Sequence, residues 1–235
     1  MEGISSALIL ALVLGALLLI GAAVYWLIAS ARREGERRRQ AAQQLGFTPI
    51  EPDPALTEKI SRISQRGGKQ SVFRLRNVFR KNLLDGEMYL FDLDEVSAEE
   101  SGAPQQQLVA IVSRYLNLPP FTIFPKVDQE GLAADLANRM LAWAISQVEG
   151  PVDFPEYPGF QERYLLSSPD PDAARAYFDE HILRQLAQTR LYLLRGGGDA
   201  FVFSQVDLTG KAPTSETLSR RVDLALDLFR ILQSE

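Results

Sequence analysis

The sequence predicts an α+β protein: an N-terminal transmembrane helix followed by an antiparallel-sheet domain with amphipathic helices, whose two halves suggest similar lobes. Three observations lead there. An uncharged, apolar run extends from Ile4 to Ala29. Strand-like runs flank Asp85-Gly86 and a glycine triplet at 196–198. Apolar residues at helical spacing follow the strands in each half, and strands followed by helices are the α+β signature.

The apolar run has 26 residues, and crossing a bilayer core of about 30 Å takes about 20. A lone segment in lipid must satisfy its own backbone hydrogen bonds, which requires a helix. Only Met1, Glu2 and Gly3 precede the run, so the basic n-region of a cleaved signal peptide is missing and an anchor is expected. Arg32, Arg33, Arg37, Arg38 and Arg39 follow it, while no lysine or arginine precedes it. That asymmetry predicts a single-pass plasma-membrane protein with its N-terminus outside and its C-terminal domain in the cytoplasm. Tyr25 and Trp26 fall where interfacial aromatic rings belong. Ala7, Ala11 and Gly15 form a small-residue stripe through which two such helices could associate.

Residues 1–30 thus read as the anchor and 31–46 as a basic juxtamembrane helix stopped at Gly46. Residues 47–149 read as a first α+β lobe and 150–235 as a second, with Gly150-Pro151 as the boundary. In the first, Leu56, Ile60 and Ile63 predict a short helix. From Ser71, Phe73, Leu75 and Phe79 alternate with Arg74, Arg76 and Arg80, apart from Asn77, predicting a half-buried strand. Asp85-Gly86 is a turn, and Tyr89, Phe91 and Leu93 mark one face of the partner strand. Gln107 to Val112 reads as a central strand and Phe121 to Phe124 as another. A helix from Asp128 through Gln147 carries Leu132, Leu136, Met140 and Trp143.

In the second lobe, Tyr164 to Leu166 is a strand. Asp170-Pro171 starts a helix running to about Gln188 with Ala174, Phe178, Ile182 and Leu186 inward. Leu191 to Leu194 and Phe201 to Val206 form a hairpin turned by the glycines. Thr214 or Ser215 opens the last helix, which buries Leu218, Val222, Leu226 and Phe229. The helices are expected on one face of the sheet.

Charge is segregated. The chain carries a net −5, and the body from Leu45 onward holds 20 basic and 27 acidic residues, a net −7. That balance argues against general nucleic-acid binding. Eight basic residues lie between Lys59 and Lys81 with no acid among them, and seven acids lie between Asp85 and Glu100 with no base. A basic strand beside an acidic one accounts for these blocks through cross-strand pairs. The alternative is a basic surface toward anionic lipid or an acidic partner. Its candidates are Arg32, Arg33, Arg37, Arg38, Arg39, Lys59, Arg62, Arg66 and Lys69.

The inventory nominates no catalytic residue, cofactor or metal. Cysteine is absent and His181 is the sole histidine, which excludes two-histidine zinc motifs. Gly67-Gly68-Lys69 lacks the earlier glycine and the following hydroxyl of a phosphate loop. Asp92 and Asp94 would share a strand face, as a Mg²⁺ or Mn²⁺ site with substrate phosphates would require. Phe154, Tyr157, Phe160 and Tyr164 could line a groove for a ligand. A scaffold or adaptor acting by binding at the inner membrane is therefore the expectation. A metal-dependent enzyme on a membrane-proximal or phosphorylated substrate, and a ligand sensor, are the alternatives.

Asn77-Val78, Asp85-Gly86 and Leu90-Phe91-Asp92, with Leu118-Pro119-Pro120-Phe121 and the later Asp153-Phe154-Pro155, Phe160 and Tyr164-Leu165, carry a resemblance. The chain resembles a family of bacterial single-span membrane proteins with a cytosolic domain of no assigned activity. The resemblance implies a bacterial plasma membrane and no catalytic residues.

Overall fold

In the computed structural model, the structure describes residues 35–65, 72–96, 105–126, 150–189, 192–205 and 215–233. Among the described residues, nine strands form one sheet in the order β1-β2-β3-β4-β9-β8-β5-β7-β6, and every neighbouring pair is antiparallel. They are β1 (Thr48–Pro49), β2 (Val72–Leu83), β3 (Gly86–Val96), β4 (Gln105–Val112), β5 (Leu118–Pro125), β6 (Gly150–Val152), β7 (Tyr164–Ser168), β8 (Tyr192–Gly198) and β9 (Ala200–Gln205). The described helices are α1 (residues 35–44), α2 (Pro54–Ser64), α3 (Pro158–Gln161), α4 (Pro171–Tyr177), α5 (Glu180–Gln188) and α6 (Ser215–Leu232).

This arrangement overturns the two-lobe expectation. β4 and β5 are consecutive in sequence, yet the C-terminal hairpin β8–β9 lies between them. Val109, Ala110, Ile111 and Val112 of β4 pair with Phe203, Val202, Phe201 and Ala200 of β9, while Leu194 to Gly196 of β8 pair with Ile123 to Phe121 of β5. Gly150-Pro151, expected to be a boundary, belongs to the edge strand β6, where they pair with Ser168 and Ser167. Long-range ladders of this kind leave no mark on local periodicity. The transmembrane helix of the expected fold, Ile4–Ala29 with its stripe Ala7, Ala11 and Gly15, lies outside the described residues. So does the helix expected from Asp128 to Gln147. Among the described residues, no helix is long and apolar enough to cross a membrane.

The sheet is buried on both faces, not one. Met88, Leu90, Val109, Ile111, Phe201 and Phe203 join a large core with Ala41 and Ala42 of α1, Leu183 and Leu186 of α5, and Leu218, Val222, Ala225, Leu228 and Leu232 of α6. Tyr89, Phe91, Leu93, Leu108, Ala110 and Val202 point the other way, into a second core closed by Leu56 and Ile60 of α2. α2 is begun by Asp53, whose carboxylate accepts from Ala55 N (3.0 Å), with Pro54 at its first position. Central strands covered on both sides read as continuous apolar runs, as Leu108 to Val112 does.

Local rules fail in three instructive places. The helix expected from Asp170 to Gln188 is broken: Phe178 leaves helical geometry (φ −82°, ψ 81°), and Asp179 caps a new helix by accepting from Ile182 N at 2.8 Å. The break lets Phe178 turn into the core, edge-on to Phe121 with ring centroids 4.8 Å apart. Pro119 and Pro120 sit inside β5, at a shift of register between Leu118 and Phe121. The glycine triplet is strand and not loop. Only Gly198 has a positive φ (63°), and Gly196 makes room for Phe121, whose Cε1 would lie 2.5 Å from an added Cβ.

Two predictions follow from this packing. Gly196→Ala should destabilise the protein by about 1–3 kcal/mol through overpacking, whereas Gly159→Ala, which meets nothing within 4 Å, should change little; denaturant melts compare them. The Tyr177 hydroxyl donates to Leu232 O at 2.6 Å, pinning the end of α6. Burial, helped by the Asp179 carboxylate, pushes that hydroxyl from its ordinary 10 up to about 12. The unfolded chain releases this proton first, so the stability it contributes is fully present below pH 10 and is lost as pH rises toward 12. Melting temperatures over that window should fall less steeply in Tyr177→Phe.

Candidate functional site

A cleft of about 930 Å³ opens where α1 crosses the β1–β2 edge of the sheet. Its floor is apolar, with Phe79, Leu90 and Leu218 of the large core; Arg38 and Arg39 of α1 and Ile50, Glu51 and Pro52 of the β1–α2 loop form its walls.

A β-bulge shapes the floor. The β2–β3 register shifts between Arg76 and Phe79, and Asn77 takes a positive φ of 49°. Asparagine tolerates that left-handed geometry better than most residues. The bulge reverses the strand's phase. Phe73, Leu75 and Val78 face the α2 core, while Phe79 packs against the large core. The simple alternation expected through Phe79 therefore ends at Asn77, and Arg80 points to the opposite side from Arg74 and Arg76.

The bulge also settles the place of the two carboxylates. Asp92, 7% exposed, accepts from Asn77 Nδ2 at 2.7 Å, and the Arg38 guanidinium lies 4.0 Å from the same oxygen. Asp94 pairs with Arg76 Nε at 2.7 Å. Both stand on the α1 side of β3, engaged by an amide and two arginines. Among the described residues, no group of three or more histidine, aspartate or glutamate side chains that could hold a metal lies together.

The expected basic surface is divided. Arg38 is half-buried and lines the cleft with exposed Arg39, while Arg37 is exposed on the same helix. Lys59 and Arg62 sit on α2, against the other face of the sheet. Lys59 Nζ donates to both carboxylate oxygens of Asp199 (2.7 and 2.6 Å), and Arg62 pairs with Glu58 one turn back at 2.8 Å. Arg32, Arg33, Arg66 and Lys69 lie outside the described residues. Cross-strand pairing does absorb part of the charge blocks, through Arg76–Asp94 and Arg80–Glu87 (3.4 Å). The Tyr89 hydroxyl also donates to Glu87, and burial together with that carboxylate pushes the hydroxyl's pKa upward.

The other candidates take structural places. His181 is exposed on α5 beside Gln185. Phe154, Phe160 and Tyr164 are buried core, Phe154 edge-on to Phe160 (6.1 Å between centroids) and Phe160 stacked on Tyr164 (5.5 Å). No continuous stretch of sequence marks the cleft, because its lining comes from residues 35–52, 75–79, 90–92 and 218. The odd Asn77, breaking an otherwise regular alternation, was its one local signal.

The described residues thus define an α+β protein built on a single antiparallel sheet with a cleft at one edge. No family model matches the chain, and no curated protein matches it. Among solved structures, it is similar to the mycobacterial trehalose monomycolate transport factor A, TtfA. The two are 16% identical over 86% of this chain and 97% of that one, with a TM-score of 0.49. Likeness at this level assigns neither ligand nor partner.

Removing the Asp92 carboxylate leaves Asn77 and Arg38 facing an apolar floor. Asp92→Ala should therefore cost about 1–3 kcal/mol of stability, and Asp92→Asn less, as measured by chemical denaturation.

Proposed function

We propose that this chain is a binding protein held at the cytoplasmic face of a bacterial plasma membrane, a scaffold or adaptor that engages its partner through the α1–β2 cleft. The anchor is Ile4–Ala29, and the arginines behind it set a single-pass orientation with the N-terminus outside. The observation that carries the reading is the cleft's position and make-up. Gly35 lines it and stands six residues after Ala29, so the connecting chain can separate cleft from membrane by at most about 20 Å. An apolar floor with a few placed polar groups is the usual make-up of a recognition site. The Asp92 and Asp94 carboxylates, held by Asn77, Arg38 and Arg76, support a structural role for that pair over a catalytic one.

The absence of cysteine makes a direct experiment available. Arg39→Cys places a lone thiol on the cleft wall, and Arg184→Cys places one on exposed α5. In intact cells neither should react with a membrane-impermeant maleimide, and both should react after lysis. Labelling of both before lysis would overturn the orientation. A thiol-anchored photocrosslinker should then give a discrete adduct in native membranes from position 39 and not from 184. Equal adducts from both, or none from 39, would count against the cleft as the binding site.

A further inference from the structure

We infer that the outer edge of β2, from Val72 to Asn77, is a docking edge for an extended acidic peptide, which adds to the sheet as a further strand beside Arg74 and Arg76. The inference rests on the binding reading above and names the chemistry of the partner.

β2 has 12 residues and pairs with β3 along its length. On its other side, β1 covers only Phe79 and Arg80, with Ile50 N donating to Val78 O at 3.0 Å. The chain then leaves the edge through Glu51 and Pro52. Among the described residues, no strand lies beside Val72–Asn77 on that side. Such an edge presents alternate N–H and C=O groups to any extended chain that reaches it, and strand addition satisfies them. The far edge of the sheet differs: β6 has three residues, one of them Pro151, and proline has no N–H to offer. Leu75, Arg76, Asn77 and Val78 also line the cleft of about 930 Å³. Beside Leu75–Asn77 the cleft leaves room for a strand at the usual spacing of about 4.8 Å.

Side chains select the occupant. Phe73 and Leu75 point into the α2 core, so Val72, Arg74 and Arg76 share the opposite face. All three are exposed, Val72 at 67%. On the inner side of the strand this row is answered by acids, with Arg74 opposite Asp94 and Arg76 opposite Asp92. A strand on the outer side meets the same row. Lysine or arginine there would repel, and a second copy of β2 laid edge to edge would bring arginine against arginine. Glutamate or aspartate at every second position pairs with Arg74 and Arg76, and an apolar residue two further along covers Val72.

The test is fluorescence anisotropy with the full-length chain in lipid nanodiscs. The probe is a labelled synthetic peptide carrying valine and then glutamates at every second position, with threonines between. Saturable binding is expected, weakened roughly five-fold or more by Arg74→Glu, which exchanges cross-strand attraction for repulsion. Replacing the peptide's glutamates with lysines should weaken it similarly. Strand addition has its own signature, because only one alternate set of peptide N–H groups faces β2. Methylating the backbone nitrogens of one set should abolish binding, and methylating the other set should preserve it. Equal binding of both methylated peptides, or of the lysine peptide, would overturn the inference. Failure here with the position-39 adduct retained would refute the acidic strand and leave the binding domain standing. Loss of both would refute both.

Discussion

The ladder between β4 and β9 is the constraint on which the rest of the molecule depends. Val109, Ala110, Ile111, Phe201 and Phe203 along it are fully buried, and through it a C-terminal hairpin stitches the N-terminal meander β2–β3–β4 to β5, β7 and β6. A sheet joined this way has one continuous surface on each side. α6, carrying Val222, Ala225, Leu228 and Leu232, lies on the large core, while α2 seals the opposite one with Leu56 and Ile60. Burial at about 25 cal/mol per Å² of apolar surface then stabilises both faces through the same central strands. β3 and β4 accordingly carry apolar side chains toward each core.

The second organising feature is the bulge at Asn77. A strand of 12 residues at a sheet edge would ordinarily keep one face inward from end to end. The extra residue reverses that phase midway, so Val78 continues the α2 core and Phe79 enters the other. Bulges recur where a sheet must re-aim a side chain or end a pairing, and this one does both. Past it, β1 can pair with Phe79 and Arg80; before it, no strand among the described residues pairs with that edge. Asp92 is drawn into the same device, accepting the Asn77 amide from the neighbouring strand. The carboxylates that look most like a metal site in sequence are thereby part of how the edge keeps its shape.

Electrostatics divides along the same line. Arg76–Asp94 and Arg80–Glu87 tie β2 to β3 on opposite faces of the sheet, and the Lys59–Asp199 pair fastens α2 to the β8–β9 turn. With partners about a fifth to three-fifths exposed, such pairs contribute on the order of 0–1 kcal/mol each. Their value lies in register and orientation. They hold α2 over its core and leave the α1 arginines on the other side, beside the cleft.

Much of the secondary structure was legible in the sequence, because it is written in local chemistry. Asp170-Pro171 announces a helix start, Leu56, Ile60 and Ile63 have helical spacing, Asp85-Gly86 marks a hairpin, Leu108 to Val112 has the continuous apolarity of a central strand, and the opposed charge blocks between Lys59 and Glu100 foretold β2 beside β3. The reach of Ile4–Ala29 and the arginines behind it is likewise a property of composition and order alone. The tertiary structure decided what local chemistry does not encode. Which strands meet across the sheet is set by burying two cores at once, and that choice placed β8–β9 between β4 and β5 and turned two expected lobes into one sheet. It also put Gly196 under the Phe121 ring and broke a helix so that Phe178 could reach the same spot. The cleft belongs to this second kind of information. Its walls come from four stretches of chain that only the completed ladder brings together, while its one local trace, Asn77 in a row of alternating residues, acquires meaning once the neighbouring strands are in place.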